Sequence, residues 1–272
     1  FAQTAAARDL AGGTPKAERD LLRASGLLRL SIPKEYGGLG ASWAETLAVV
    51  RQLTRADSSV GHVFAFHHLQ LATVRLFGQP AQWEPWLTET ARHNWFWGNA
   101  LNPLDKRTLA RRVDGGREFS GNKSFCSGAL DSDMLLVSAL EDSADGKLII
   151  ASVPTLRAGI RLFEDWDNMG QRQTDSGSAV FERVAVAEDE ILADPGPLSS
   201  PRACLRPLLA QLVFVNVYLG IAEGAFAEAR NYTRTQARLW PASPAGEVTE
   251  DSYVLRHYGE FWVALEGARK LA

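Results

Sequence analysis

Residues 121–139 read GNKSFCSGALDSDMLLVSA, and residues 166–186 read WDNMGQRQTDSGSAVFERVAV. Each passes from a polar, Gly- and Ser-containing stretch into a strand-like run. The second, from Ser178 to Val186, alternates apolar and polar residues as a strand with one wet face does. Between and around them the same signal repeats. RRVDGGREFSG puts Asp114, Gly115 and Gly116 between two alternating runs, which predicts a hairpin, and the runs beginning at Met134 and Lys147 flank DSADG as a second one. The middle third is therefore read as β structure.

Outward from that middle the period changes to that of helices. On the N-terminal side, Thr14 is read as an N-cap before Pro15, opening a helix with Leu21, Leu22 and Leu28 and a break at Gly26. SIPKEYGGLGAS at 31–42 is a loop, in which GGLG serves turn geometry, since no strand precedes it. Ser42 with Glu45 forms a capping box for a helix reaching Arg55, a third helix runs from Ser59 to Leu76, and a fourth from Ala81 to Arg92. On the C-terminal side the helical period returns after Pro201, with Leu209, Leu212, Val213, Val217 and Ile221 on one stripe.

Composition narrows the function classes. With 272 residues, 46% of them hydrophobic, the chain buries a sizeable core. A net charge of -3 with interspersed signs offers no electrostatic footprint for nucleic acid or an anionic membrane. The apolar stretch at 208–222 contains Gln211 and Asn216 and is read as a buried core helix rather than a bilayer span. Two cysteines without CxxC spacing fit a reducing, cytoplasmic setting and give no zinc site. The start at Phe1 and the unfinished helical pattern at the end suggest a piece of a longer chain.

The two quoted segments resemble the flavin-cradling strands of the acyl-CoA dehydrogenase superfamily, and IPKEYGGLG at 32–40 matches that family's N-terminal signature. The resemblance implies an α+β multidomain fold: an N-terminal helical domain over 1–94, a central β-barrel domain over 95–200, and the first part of a C-terminal helical bundle over 201–272. Two family features are altered. At the catalytic-carboxylate position of one branch stands Ala210, with no Asp or Glu from 195 to 222. At the family's R-x-x-F-G, Leu239 and Trp240 replace Phe-Gly, where close backbone approach is needed, so FMN fits better than FAD.

Those departures, with WFWGN at 95–99, NVYLGIA at 216–222 and YTRTQARLW at 232–240, resemble the reduced-flavin-dependent monooxygenases of the dibenzothiophene monooxygenase type. The resemblance implies an FMNH2-dependent enzyme, supplied by a separate flavin reductase, that passes one oxygen of O2 from a flavin C4a-hydroperoxide to a thioether-type sulfur. It also implies a homotetramer. An FAD-dependent acyl-CoA dehydrogenase and an amine or aromatic hydroxylase are the alternatives.

Candidate residues follow from that chemistry. His62 and Ser127 are the catalytic pair the resemblance implies, with Ser127 bonding the flavin ring; no GxSxG or His-Asp spacing makes it a hydrolase nucleophile. Phe66, Asn99, Ala100, Leu101, Lys123, Ser124, Phe125 and Cys126 are implied along the flavin, and Trp166 at the substrate. Arg238 is implied as a clamp on the FMN phosphate of a neighbouring subunit. Leu101 enters a lid loop reaching about residue 109. Trp95, Phe96 and Trp97, with Phe125 and Trp166, are read as a water-excluding aromatic pocket or as ordinary core. His62 and Phe66 share one helix face, from which His67 lies about 140° away. His67 and His68 diverge and form no metal pair.

Overall fold

The computed structural model describes residues 1–193 and 199–272. Five helices come first: α1 Ala2–Ala11, α2 Lys16–Ser25, α3 Trp43–Ala56, α4 Ser58–Phe77 and α5 Pro80–His93. Seven strands follow: β1 Trp97–Ala100, β2 Leu109–Val113, β3 Gly116–Lys123, β4 Met134–Glu141, β5 Leu148–Pro154, β6 Ile160–Leu162 and β7 Ala179–Ala187. Two helices close the chain, α6 Leu205–Thr235 and α7 Ser252–Leu271. The acyl-CoA dehydrogenase-like order of helices, sheet and helices is thus observed.

Local chemistry explains most of the boundaries. The Ser42 side chain accepts from Glu45 N at 3.2 Å and the Glu45 carboxylate accepts from Ser42 N at 2.8 Å, which is the predicted capping box of α3. Asp57 caps α4 by accepting from Val60 N at 3.0 Å. Thr14 does not cap α2 as expected: its hydroxyl is drawn 161 residues along the chain to Asp175, and Pro15 takes the N-cap place. That helix stops at Gly26, whose left-handed φ of 74° ends it, and Leu28 belongs to a separate short turn.

The strands form one seven-stranded sheet in the order β1-β4-β2-β3-β7-β6, with β5 on the other edge of β4. It is an open, curled half-barrel rather than a closed barrel. Both predicted hairpins are present, Ala110 opposite Phe119 in the first and Val137 opposite Ala151 in the second.

Helix α4 occupies the middle of the molecule, packed against α3, α6 and β1, and is apolar nearly all round for that reason. Two buried clusters meet there, one among α4, α5, β1 and β4 and one among α2, α3, α4 and α6, while a third lies inside the sheet. Gly220 of α6 lets that helix touch α3, since a Cβ there would lie 2.0 Å from Thr54 Oγ1.

The stripe expected on α6 is rotated. Ala210, Val213, Val217 and Gly220 are buried, whereas Leu212 is 42% exposed. The stretch read as a buried core helix therefore buries only one face, because only one side of it meets α3 and α4. By length and composition alone α6 could cross a membrane, a test that a core helix of a soluble protein also passes.

Candidate active site

His62 stands in the second turn of α4, and Phe66 lies one turn on, its ring centroid 4.5 Å away. Phe214 of α6 meets both rings edge-on, at 6.0 and 5.7 Å. Burial pushes the His62 imidazole down to about 4, against a smaller upward pull from the Gln171 side chain. The ring is neutral at neutral pH. His62 Nε2 and Gln171 Oε1 are both buried and have no hydrogen-bond partner among the described residues. The Gln171 side chain nevertheless lies near enough to favour the charged imidazole, so the two polar groups share one spot in an otherwise aromatic surround.

Against this helix face lies the segment that follows β3. Gly128, at φ 69°, is close enough that a Cβ would meet the Phe96 ring at 3.1 Å and Val63 at 3.6 Å. A side chain at this position would thus separate the segment from α4. Two backbone bonds clamp it to the 171–177 loop, Cys126 N to Gly177 O at 3.0 Å and Gly128 N to Thr174 O at 2.9 Å. Ser127 Oγ lies 2.7 Å from Ser176 Oγ. Phe125 stands 59% exposed at φ 60° and meets the Trp166 ring at 5.7 Å, and the Trp166 indole donates to Gln171 O at 3.0 Å.

Asn99, on β1, ties these parts together. Its Nδ2 donates to Phe125 O at 3.2 Å, and its Oδ1 accepts from Gln70 of α4 at 2.7 Å. Phe125, Gln171 and Asp175 are three of the five non-glycine residues with positive φ among the described residues. Left-handed backbone costs roughly 1 kcal/mol or more per residue, and such strain concentrates at functional sites. Behind the loop, Arg19 donates to Asp175 at 2.9 Å, to Gly128 O at 2.8 Å and to Asp131 O at 2.9 Å, with its guanidinium 3.9 Å above the Phe96 ring. Burial raises the Asp175 carboxyl, and the Arg19 charge draws it back.

The structure brings His62, Phe66, Asn99, Phe125, Ser127 and Trp166 into one neighbourhood. The other expected residues sit differently. Ala100 and Cys126 are buried in the sheet cluster, and burial pushes the Cys126 thiol up to about 12, so it is inert at neutral pH. Leu101 packs on the β1/α5 cluster. Lys123 sends its ammonium to the carbonyls of Asn102 and Asp105, at 3.1 and 2.5 Å, and so tethers the loop entered at Leu101; burial lowers its pKa to about 8. The Ser124 hydroxyl accepts from Arg107 of the same loop at 2.7 Å.

Arg238 lies apart, exposed in the connection between α6 and α7. It borders a hollow of about 640 Å³ with Trp240, Pro244 and Tyr253, and no residue of the His62 cleft lines that hollow. A larger cavity of about 850 Å³, lined by Trp86, Arg117, Arg157 and Glu190, is also remote from the cleft.

Among the aromatic candidates, Phe96 and Trp97 are core residues, 0% and 1% exposed, and Trp97 Nε1 donates to Thr90 at 2.9 Å. Trp95 stacks on His93. His67 accepts from Trp97 N and contacts Leu28 O at 2.7 Å, a satisfied core histidine, whereas His68 bonds Ser31 through Nδ1 and leaves its buried Nε2 without a partner among the described residues. Gln171, Thr174, Ser176, Gln70, Phe214 and the Arg19–Asp175 pair were not singled out from the sequence. Thr174 and Ser176 occupy the two hydroxyl positions of the motif beginning at Met169, which was the available signal.

Residues 1–94 match the family model described as Acyl-CoA dehydrogenase, N-terminal domain. The chain is 65% identical over 271 residues to the "Probable FMNH2-dependent monooxygenase SfnC" of Pseudomonas putida, covering 100% of this chain and 69% of the relative. Among solved structures it is similar to the methanesulfinate monooxygenase MsuC of Pseudomonas fluorescens, with TM-score 0.97 and 67% identity, covering 100% of this chain and 70% of that one. An FMN-bound structure of the dibenzothiophene monooxygenase TdsC of Paenibacillus sp. A11-2 superposes with TM-score 0.91 at 42% identity, covering 99% and 72%.

Proposed function

From a chain that belongs to the acyl-CoA dehydrogenase family, in its FMNH2-dependent monooxygenase branch, we propose an enzyme that uses FMNH2 and O2 to transfer one oxygen atom to the sulfur of a small organosulfur compound. The observation that carries this reading is the convergence of a neutral His62 beside Phe66 and Gln171 with the Phe125–Ser127 segment, which Trp166 and Ser176 hold to the loop bearing Gln171. A reduced flavin held there would supply the two electrons that activation of O2 requires.

The chain's own residues supply the rest. His62, uncharged at neutral pH, holds a proton on one ring nitrogen and offers a lone pair on the other, so it can give or take a proton without burying an ion. Phe66 and Phe214 shield the His62 ring from water, and the exposed Phe125 beside Trp166 offers an aromatic face that a bound ring would cover. Asn99 fixes the carbonyl of Phe125 and thereby the loop bearing Ser127. Lys123 holds the neighbouring loop closed along its length. Arg238, unable to reach this cleft in its own protomer, is assigned to the single phosphate of a flavin bound by a neighbouring subunit of a homotetramer. The enzyme works in the cytoplasm with a separate flavin reductase.

An acyl-CoA dehydrogenase would need a carboxylate at the α-carbon of its thioester, and α6 carries none from Leu205 to Ala222. Oxygen consumption by the chain with FMNH2 and a panel of sulfinates, thioethers and amines tests the proposal. Turnover of a sulfur compound is expected; anaerobic bleaching of bound flavin by an acyl-CoA, with no oxygenation of any member of the panel, would refute it. In the same assay His62→Phe is expected to abolish oxygenation while FMN binding persists.

A further inference from the structure

Three hydroxyls run in series through the cleft wall. Thr174 Oγ1 lies 2.9 Å from Gln171 O, Ser176 Oγ lies 2.7 Å from Thr174 Oγ1, and Ser127 Oγ lies 2.7 Å from Ser176 Oγ. Their residues are 1%, 4% and 7% exposed, so water does not compete for these bonds. The chain ends on a fixed acceptor: Gln171 O is held in a left-handed turn at φ 53°, and also receives the Trp166 indole at 3.0 Å and, more loosely, Thr174 N at 3.2 Å. The two backbone clamps between 126–128 and 174–177 keep the three oxygens in register.

The 2.9 Å contact between Thr174 Oγ1 and a carbonyl oxygen, which repels unless a hydrogen lies between them, sets the direction of the series. A carbonyl oxygen only accepts, and each hydroxyl has one hydrogen. Thr174 must therefore donate to Gln171 O. With its hydrogen spent it accepts from Ser176, and Ser176, its own hydrogen spent, accepts from Ser127. Ser127 is left with its hydrogen turned into the wall and only lone pairs for a ligand.

We propose that Thr174 and Ser176 are positioning residues that make Ser127 an obligatory hydrogen-bond acceptor, and that this selects reduced over oxidised flavin. The proposal rests on the flavoenzyme reading above. Two-electron reduction of an isoalloxazine adds a hydrogen at N5, the ring atom that changes from acceptor to N–H donor. An acceptor-only serine satisfies the reduced ring and sets lone pair against lone pair in the oxidised one, a mismatch that costs a buried polar group its bond. The catalytic contact belongs to Ser127; Thr174 and Ser176 act through it.

The test is binding, not turnover. Dissociation constants of the full chain for oxidised FMN, from flavin fluorescence, and for reduced FMN, from anaerobic titration, give a ratio of oxidised to reduced. The parent ratio is expected to exceed one. Ser176→Ala and Thr174→Val free the Ser127 hydrogen to turn toward the ligand and are expected to lower the ratio about five- to tenfold. Ser176→Thr and Thr174→Ser keep the hydroxyls and should keep the ratio, which a merely structural role would not distinguish. If either truncation fails to fold, Ser127→Ala reads the same quantity and should also lower it. A parent ratio near one, or variants that bind FMN with the parent's ratio, overturns the proposal. A parent that binds neither form overturns the flavoenzyme reading itself.

Discussion

The cleft wall around Ser127 and the outer arm made by α6 and α7 are held by opposite means. In the cleft, polar atoms from residues as far apart as Thr14 and Asp175, or Arg19 and Gly128, are buried and mutually bonded. Along the arm, Tyr218, Phe261 and Trp262 are 65%, 53% and 48% exposed, and a groove of about 720 Å³ between the two helices is lined almost wholly by apolar side chains. The first region is defined by the chain's own contacts. The second has apolar surface that no described residue covers, which is the character of a contact surface. The residues proposed for the site are divided between them, with His62 and Ser127 in the first and Arg238 on the second.

The sharpest way to break that contrast is to remove the cation behind the cleft. Arg19→Met leaves the Asp175 carboxyl buried without its partner and frees the carbonyls of Gly128 and Asp131. A loss of about 3–5 kcal/mol in unfolding free energy is expected, measured by denaturant titration. Arg19→Met combined with Asp175→Leu should recover part of it, because the orphaned charge is then gone. A cleft that tolerates Arg19→Met unchanged is not organised by this pair.

The second test uses pH. His62 is pushed down to about 4 in the fold from an ordinary value of 6.5, so the folded state excludes a proton that the unfolded chain binds. Its contribution is complete above pH 6.5 and is lost as pH falls toward 4. His67, also pushed to about 4, and His68 act in the same direction, while Asp175, raised to about 7, acts in the opposite one. Comparing the parent with His62→Phe cancels the other groups. The stability difference between them should shift by about 2–3 kcal/mol in favour of the variant between pH 6.5 and 4. A pH-independent difference would mean that His62 is hydrated and titrates normally.

How much of this was legible in the sequence follows the same division. Capping residues, hairpin turns and the 3.6-residue period of α4 are local signals, and Ser42, Gly115 and the α4 limits were read within a residue or two. The two motif segments located the cleft because their residues meet across the sheet. What escaped was set by tertiary contact. Thr14 looked like a cap but is claimed by Asp175, and Leu212 looked buried because a period gives a stripe without saying which neighbour covers it. Gln171 carries no signature at all: its importance comes from a left-handed backbone that points its carbonyl at Thr174 and Trp166.

On the arm, Arg238 is exposed and makes no hydrogen bond or ion pair among the described residues. Arg238→Ala should leave unfolding unchanged yet raise the FMN dissociation constant about tenfold, the worth of one charge-assisted phosphate contact. The two readouts separate its role from packing. Equal FMN binding by parent and variant would confine the flavin site to the His62 cleft of a single chain.

The smallest effect belongs to an arm ion pair and calibrates the largest. Arg256 and Glu260 of α7 are 2.8 Å apart, one helical turn from each other, with side chains 75% and 52% exposed. Water screens their attraction, and holding two long side chains together costs rotamer entropy, so Arg256→Ala should change stability by only about 0.3–0.5 kcal/mol. That is roughly a tenth of what Arg19→Met is expected to cost, since Arg256 bonds one exposed carboxylate whereas Arg19 pairs with Asp175 and Asp131 and holds two backbone carbonyls, its guanidinium out of water. The ratio reflects burial together with the number of partners held. If the two substitutions cost the same, the cleft interior is as wet as the surface of α7, and a site that must keep water from an activated oxygen would not be built there.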